Sequence, residues 1–184
     1  THAKKYGEVV RLKGGDSFIF GRGYEELMYA AQHGIAYEII PGISSSYSVP
    51  ALAGIPLTSR GISESFWVIT GTTKSHKLSQ DLLLAAQSTA TVVILMGLHK
   101  LAEIVQIYAH QNKLNESISI IQNGSRADQK IVTGKISNIE ALAHVSEIGS
   151  PAVIVIGQVA SFPDLSYEKI QELVRQNTDV NDLQ

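Results

Sequence analysis

The chain has 184 residues, 44% of them hydrophobic and 17% charged, which is enough apolar content for one sizeable core or two modest ones and too much for a disordered chain. It contains no cysteine, which excludes a disulfide scaffold, a thiolate metal site and a thiol nucleophile. Its net charge of −2 supplies no bulk attraction to nucleic acid, no apolar run reaches membrane-spanning length, and the first residues carry no signal-peptide core.

In chain order, β-branched runs alternate with helical patterns. Strands are predicted at residues 8–13 (EVVRLK), 36–40 (AYEII), 66–70 (FWVIT), 91–96 (TVVILM), 117–121 (SISII), 130–136 (KIVTGKI) and 152–157 (AVIVIG). Between them, GYEELMYAAQHG ends in Gly34, a good residue to close a helix. HKLAEIVQIYAH puts Leu101, Ile104, Val105, Tyr108 and Ala109 on one stripe. SNIEALAHV opens with Ser137 and Glu140 at capping-box spacing. This alternation predicts an α/β layered architecture.

Gly, Pro, Ser and Thr gather at 54–65 (GIPLTSRGISES), the expected seam between two domains. The division is then 1–62, the C-terminal part of a first α/β domain; 63–162, a second α/β domain; and 163–184, a C-terminal helix and tail. With two strands, the first part is too small for a free-standing covered sheet. The chain opens at Thr1 without an initiator methionine and meets a strand pattern after seven residues. We therefore expect a processed or excised piece of a longer protein.

Two stretches combine strand ends with small residues. In VVRLKGGDSFIFGRGYEEL, Gly14 and Gly15 let the backbone turn and approach a ligand, and Asp16 offers a carboxylate able to accept two hydroxyl hydrogen bonds. Ligands of α/β sheets sit off the carboxyl ends of strands, where this loop falls. An Asp N-cap or a plain turn reads the same triad equally. In EIIPGISSSYSVPALAGIPLTSR, Pro41-Gly42 leads to Ser44, Ser45 and Ser46, which can donate to a ligand at a helix start or simply cap the helix. The six histidines (His2, His33, His76, His99, His110, His144) show no HxH, HxxH or HExxH spacing, so no metal site is expected.

Together VVRLKGGDSFIFGRGYEE, PGISSSYSVPALAGIPLTSR, VVILMGL and QNGS, in this order, resemble the uroporphyrinogen-III C-methyltransferases of the tetrapyrrole methylase family, from about Gly7 to Val159. The resemblance implies an α/β, two-domain tetrapyrrole methylase fold whose first domain is incomplete here, because the family's leading GxGPGD-type segment has no counterpart. It implies S-adenosyl-L-methionine as cofactor, with S-adenosyl-L-homocysteine as product, held between the domains. The cofactor positions carry over to Gly14, Gly15, Asp16, Ile19, Ser44, Ser45, Met96 and Gly124. Read from the residues alone, Ile19 and Met96 serve equally as core residues and Gly124 as a turn glycine.

The implied reaction is C-methylation of uroporphyrinogen III to precorrin-2, on the way to siroheme or cobalamin, in a cytoplasmic homodimer without nucleic acid or membrane. An octacarboxylate needs cations. Arg22 and Arg60, with Lys13 beside them, are the candidates, and solvated surface charge is their other reading. The catalytic acid and base are unknown, since no position matches them. Some positions depart from the family pattern: Ser17 follows GGD in place of proline, Ser59 stands for the histidine of THR, and Thr72 stands for the histidine of TGH. A methylase for a later corrin precursor and an inactive binding or dimerisation fragment are the alternative readings.

Overall fold

The computed structural model describes residues 2–162; the helix and tail expected at 163–184 lie outside them. The chain divides into two compact units, Thr1–Ser48 and Val49–Gln184.

Within the first unit the regular elements are helical: α1 (His2–Tyr6) and α2 (Gly23–Gln32), with α3 (Ser45–Leu52) beginning at its end. Helix α2 stops as expected. Gly34 takes a left-handed φ of 63° and its N–H donates to the Ala31 carbonyl at 3.0 Å, closing the last turn with a residue that has no Cβ to clash. The two strands expected here do not form. A strand exists only as one side of a ladder, and among the described residues neither 8–13 nor 36–40 has a ladder partner. Their apolar side chains face outward, with Val10 82% and Ile40 74% exposed.

The second unit is built on a five-stranded sheet of β1 (Phe66–Thr70), β2 (Thr91–Leu95), β3 (Ser117–Gln122), β4 (Lys130–Lys135) and β5 (Ala152–Ile156), in spatial order β1-β2-β5-β3-β4. All five appear where the β-branched runs predicted, with ends shifted by one residue at most. β1 and β2 pair in parallel, while β5 lies antiparallel to both β2 and β3. Consequently β1, β2 and β3 point the same way and their carboxyl ends share one edge. The register is set at the centre: Val153 lies opposite Leu95 on one side and Ile121 on the other.

Alternation along these strands feeds two cores. On one face Ile69, Val92, Ile94, Ile118, Ile120, Ile154 and Ile156 pack with Leu82, Ala85 and Ala86 of α4 (Asp81–Gln87), Ile104 and Tyr108 of α5 (Leu101–His110), and Ile139 and Ala143 of α6 (Ile139–Val145). On the other, Val93, Leu95, Ile121, Val153 and Val155 meet Val49, Ile55, Val159 and Ala160. The α5 stripe is as expected, with Ile104 and Tyr108 at its centre. Burial pushes the Tyr108 phenol above its ordinary titration range, with the Glu116 carboxylate adding to the effect.

The capping box expected at Ser137 and Glu140 is absent, because α6 starts one residue later than the pattern suggests. Asn138 precedes the helix and its Oδ1 accepts the Lys135 N–H at 2.8 Å, so the turn out of β4 uses the polar side chain that would otherwise cap. Since Ile154 is fully buried in the first core, Ile154→Ala is expected to lower the unfolding free energy by about 2–5 kcal/mol, read from a denaturant titration.

Candidate ligand-binding loops

In the first unit, the GGD and Pro-Gly-Ile loops are fastened to each other. The Asp16 N–H donates to the Ile43 carbonyl at 3.2 Å. Its carboxylate accepts the Phe18 N–H at 2.8 Å through one oxygen and the Gly42 N–H at 3.0 Å through the other. The Gly42 amide, then that of Phe18, with a smaller share from Ile19, holds the Asp16 carboxyl below its ordinary 3.8, as expected for a carboxylate bonded by N–H donors. Asp16 thus binds backbone, where the residue pattern suggested hydroxyl groups of a ligand.

Glycine makes this clasp possible. A Cβ on Gly42 would stand 3.2 Å from the Gly15 carbonyl oxygen, and one on Gly15 3.3 Å from that of Ile43. Gly14 has nothing within 4 Å of where its Cβ would be, so its backbone faces open space. Beyond Asp16 the chain folds back, with the Gly23 N–H on the Ser17 carbonyl at 2.8 Å. Phe20 and Arg22 adopt φ of 51° and 57°, conformations that cost a residue with a side chain about 1–2 kcal/mol each. Ile19 is 39% exposed, which removes its reading as a core residue.

Ser44, Ser45 and Ser46 open α3. Ser44 is the N-cap: its buried Oγ accepts the Ser46 N–H at 3.2 Å and lies 2.8 Å from Ser46 Oγ. The Ser45 side chain is exposed and makes no hydrogen bond among the described residues. The Ser44 hydroxyl is engaged as an N-cap, and the Ser45 hydroxyl beside it is exposed.

The cations differ in their engagement. Lys13 Nζ sits 2.6 Å from Glu26 Oε1, with Arg11 also on that carboxylate at 3.3 Å. The Lys13 hydrogen bond is the main cause of the lowered Glu26 pKa. Arg22 makes an exposed pair with Glu25 at 3.3 Å. Arg60 is exposed in a turn closed by the Ser59 N–H on the Ser63 carbonyl at 2.9 Å, and it has no ion-pair partner among the described residues. Arg22 lies in the first unit and Arg60 in the second.

In the second unit Met96 and Gly124 leave the same sheet edge, after β2 and β3. Met96 is 50% exposed with φ 56°, so it is not a core residue either. Gly124 is not simply a turn glycine. Its neighbours Asn123 and Ser125 carry the left-handed conformations, at φ 50° and 70°, while a Cβ on Gly124 would come 2.4 Å from Cγ1 of Val49 on α3. The loop beyond it is tied by Asp128, which accepts from Asn123 Nδ2 at 2.8 Å and Arg126 Nε at 3.1 Å. Thr72, Gly97 and His99 join this edge without having been singled out as site residues. A Cβ on Gly71 would lie 2.2 Å from the Gly97 Cα, and only the central glycines of TGT and MGL hinted at that contact.

The carboxyl ends of β1, β2 and β3 share one edge of the second unit's sheet, the place where α/β proteins hold small ligands. The sequence pattern of the Tetrapyrrole (Corrin/Porphyrin) Methylases matches residues 1–140. The chain is 39% identical over 164 residues to the uroporphyrinogen-III C-methyltransferase of Methanocaldococcus jannaschii, covering 88% of this chain and 68% of that protein. It is 42% identical over 160 residues to siroheme synthase 1 of Yersinia enterocolitica, of which it spans 34%. Uroporphyrin-III C-methyltransferase of Thermus thermophilus, solved in complex with S-adenosyl homocysteine, superposes with a TM-score of 0.73 at 30% identity, over 86% of this chain and 69% of that one. The chain belongs to the tetrapyrrole methylase family, and the fold expected from its motifs is the one found.

Because the Asp16 pKa is depressed in the folded state, the clasp's contribution is complete above pH 3.8 and is lost as pH falls through the lower folded value. Hydrogen exchange at the Phe18 and Gly42 amides is expected to accelerate only below that point, beyond the intrinsic pH trend, and Asp16→Asn should abolish the transition. Gly124→Ala is expected to destabilise the second unit by about 1–3 kcal/mol through overpacking on Val49, measured by thermal melting.

Proposed function

We propose that this chain forms the greater part of a uroporphyrinogen-III C-methyltransferase, which uses S-adenosyl-L-methionine to methylate uroporphyrinogen III toward precorrin-2 and is left with S-adenosyl-L-homocysteine. The observation that carries this reading is the 39% identity to the Methanocaldococcus enzyme across nearly the whole chain. The Thermus neighbour with its bound S-adenosyl homocysteine supports the cofactor. Siroheme synthases among the relatives favour siroheme as an end product. A cytoplasmic homodimer without membrane or nucleic-acid partner completes the reading, and no helix of the described residues is long and apolar enough to cross a membrane. We keep 62/63 as the proposed domain boundary.

The residues present suit such a cofactor. Gly14 and Gly15 expose backbone, Ser45 offers a free hydroxyl donor, and Ile19 and Met96 offer exposed apolar surface for an adenosyl or methionyl group. Asp16 and Ser44 serve by holding the loops that carry these groups, and Gly124 by letting its loop close on Val49. When bound, the cofactor supplies an electrophilic methyl on a sulfonium. The protein's part is alignment and exclusion of water, since transfer needs the carbon nucleophile held in line at near-contact distance. Arg22 and Arg60 are assigned to the substrate's carboxylates, where a planar guanidinium binds both oxygens at once.

Calorimetric titration with S-adenosyl-L-homocysteine tests the reading. Micromolar or tighter binding is expected, and Asp16→Ala should weaken it about tenfold. No heat of binding at millimolar ligand would sink the cofactor assignment. For Arg60→Ala the expected result is a raised KM for uroporphyrinogen III at unchanged cofactor affinity.

A further inference from the structure

Thr72, Met96 and His99 form a hydrogen-bonded chain at the sheet edge. Thr72 Oγ1 lies 2.9 Å from the Met96 carbonyl oxygen and 3.0 Å from His99 Nε2. We propose that His99 is a positioning residue which, through the Thr72 hydroxyl, holds Met96 in its left-handed conformation and so sets the affinity of the site for S-adenosylmethionine. This rests on the reading of Met96 as a cofactor contact.

Proton counting assigns the chain's direction. A carbonyl oxygen can only accept, and Thr72 has one hydroxyl proton. To satisfy both contacts, that proton goes to Met96 and Thr72 Oγ1 accepts from His99, so Nε2 carries the hydrogen. Any other arrangement sets two oxygen lone pairs against each other at 2.9 Å.

The rest of the contact is already fixed by backbone. Gly71 donates its N–H to the Leu95 carbonyl at 2.7 Å and packs directly on Gly97. Thr70 Oγ1 donates to the Thr72 carbonyl at 2.9 Å and accepts the Thr72 N–H at 3.2 Å, orienting Thr72 from its other side. Met96 meanwhile sits at φ 56°, a conformation that side chains rarely hold without local support. The hydrogen bond its carbonyl accepts from Thr72 supplies that support, and the imidazole, by donating to Thr72 Oγ1, keeps the hydroxyl proton turned toward Met96. His99 is exposed and stands in the short 3₁₀ turn Leu98–Lys100, outside both cores. Its loss therefore leaves the sheet intact and frees Met96 alone.

Titration of the protein with S-adenosyl-L-homocysteine tests this with four variants. His99→Ala and Thr72→Val should each weaken binding about five- to tenfold with melting temperature unchanged. The double variant should be no weaker than the worse single one, since both break the same chain. His99→Gln, whose amide N–H reaches the place of Nε2, should restore affinity. Wild-type affinity in His99→Ala, additive losses in the double variant, failure of His99→Gln to restore, or a loss that follows a fall in melting temperature would each overturn the proposal. A wild-type protein that binds no S-adenosyl-L-homocysteine overturns the cofactor reading and the proposal with it, whereas normal wild-type binding beside an unaffected His99→Ala overturns the proposal alone.

Discussion

Val153 lies opposite Leu95 on one side and Ile121 on the other, and the geometry of the second unit depends on that shared register. Since β5 runs antiparallel to both neighbours, β2 and β3 run parallel to each other without touching. Their ends stand two strand spacings apart, about 10 Å. Leu95 and Ile121 therefore stand at one level, the loops that carry Met96 and Gly124 leave the same edge, and parallel pairing of β1 with β2 brings the Thr70–Thr72 turn there too. A slip of one residue in β5 would turn its fully buried Ile154 and Ile156 from one face of the sheet to the other.

At that edge the chain is held by backbone meeting backbone. There Gly71 approaches Gly97 main chain to main chain, while Gly124 packs directly on the Val49 side chain; in the first unit, taken by itself, Gly42 approaches the Gly15 carbonyl in the same close way. Such contacts are short and rigid, and they leave the neighbouring side chains free. In the first unit one carboxylate fastens two loops: both Asp16 oxygens accept backbone amides, where the residue pattern suggested an acceptor for a ligand. Ser44 behaves alike, its hydroxyl occupied as an N-cap while Ser45 beside it stays open.

The five sheet strands and α5 were legible because their burial is two-sided or striped, and the periodicity of Val, Ile and Leu records it directly. Helix α4 was not, since its run of Leu82, Leu83 and Leu84 shows no clear face until packing buries Leu82 and leaves the other two about half exposed. The runs at 8–13 and 36–40 have the residues of strands and none of the pairing, because propensity describes a side chain's comfort in a ladder and cannot supply the neighbouring strand. The polar residues before α6 misled for a related reason: Asn138 had a competing backbone donor in Lys135 that no spacing rule reveals.

What the sequence determined by itself is the α/β class and the five strands of the main sheet, because composition and periodicity are sufficient for both, and, through the resemblance of its motifs to a family, the loops that bear them. Which atoms in those loops are free and which are spent was decided by tertiary structure. Asp16, Ser44 and Thr72 find their partners at Gly42, Ser46 and His99, and the exposure of Ile19 and Met96 separates them from the core. Hydrogen bonds are satisfied by whatever donor or acceptor lies within about 3 Å. Distance in space, which chain order does not record, therefore assigns the roles of Asp16 and Thr72, while the Ser44 cap is local to its own turn.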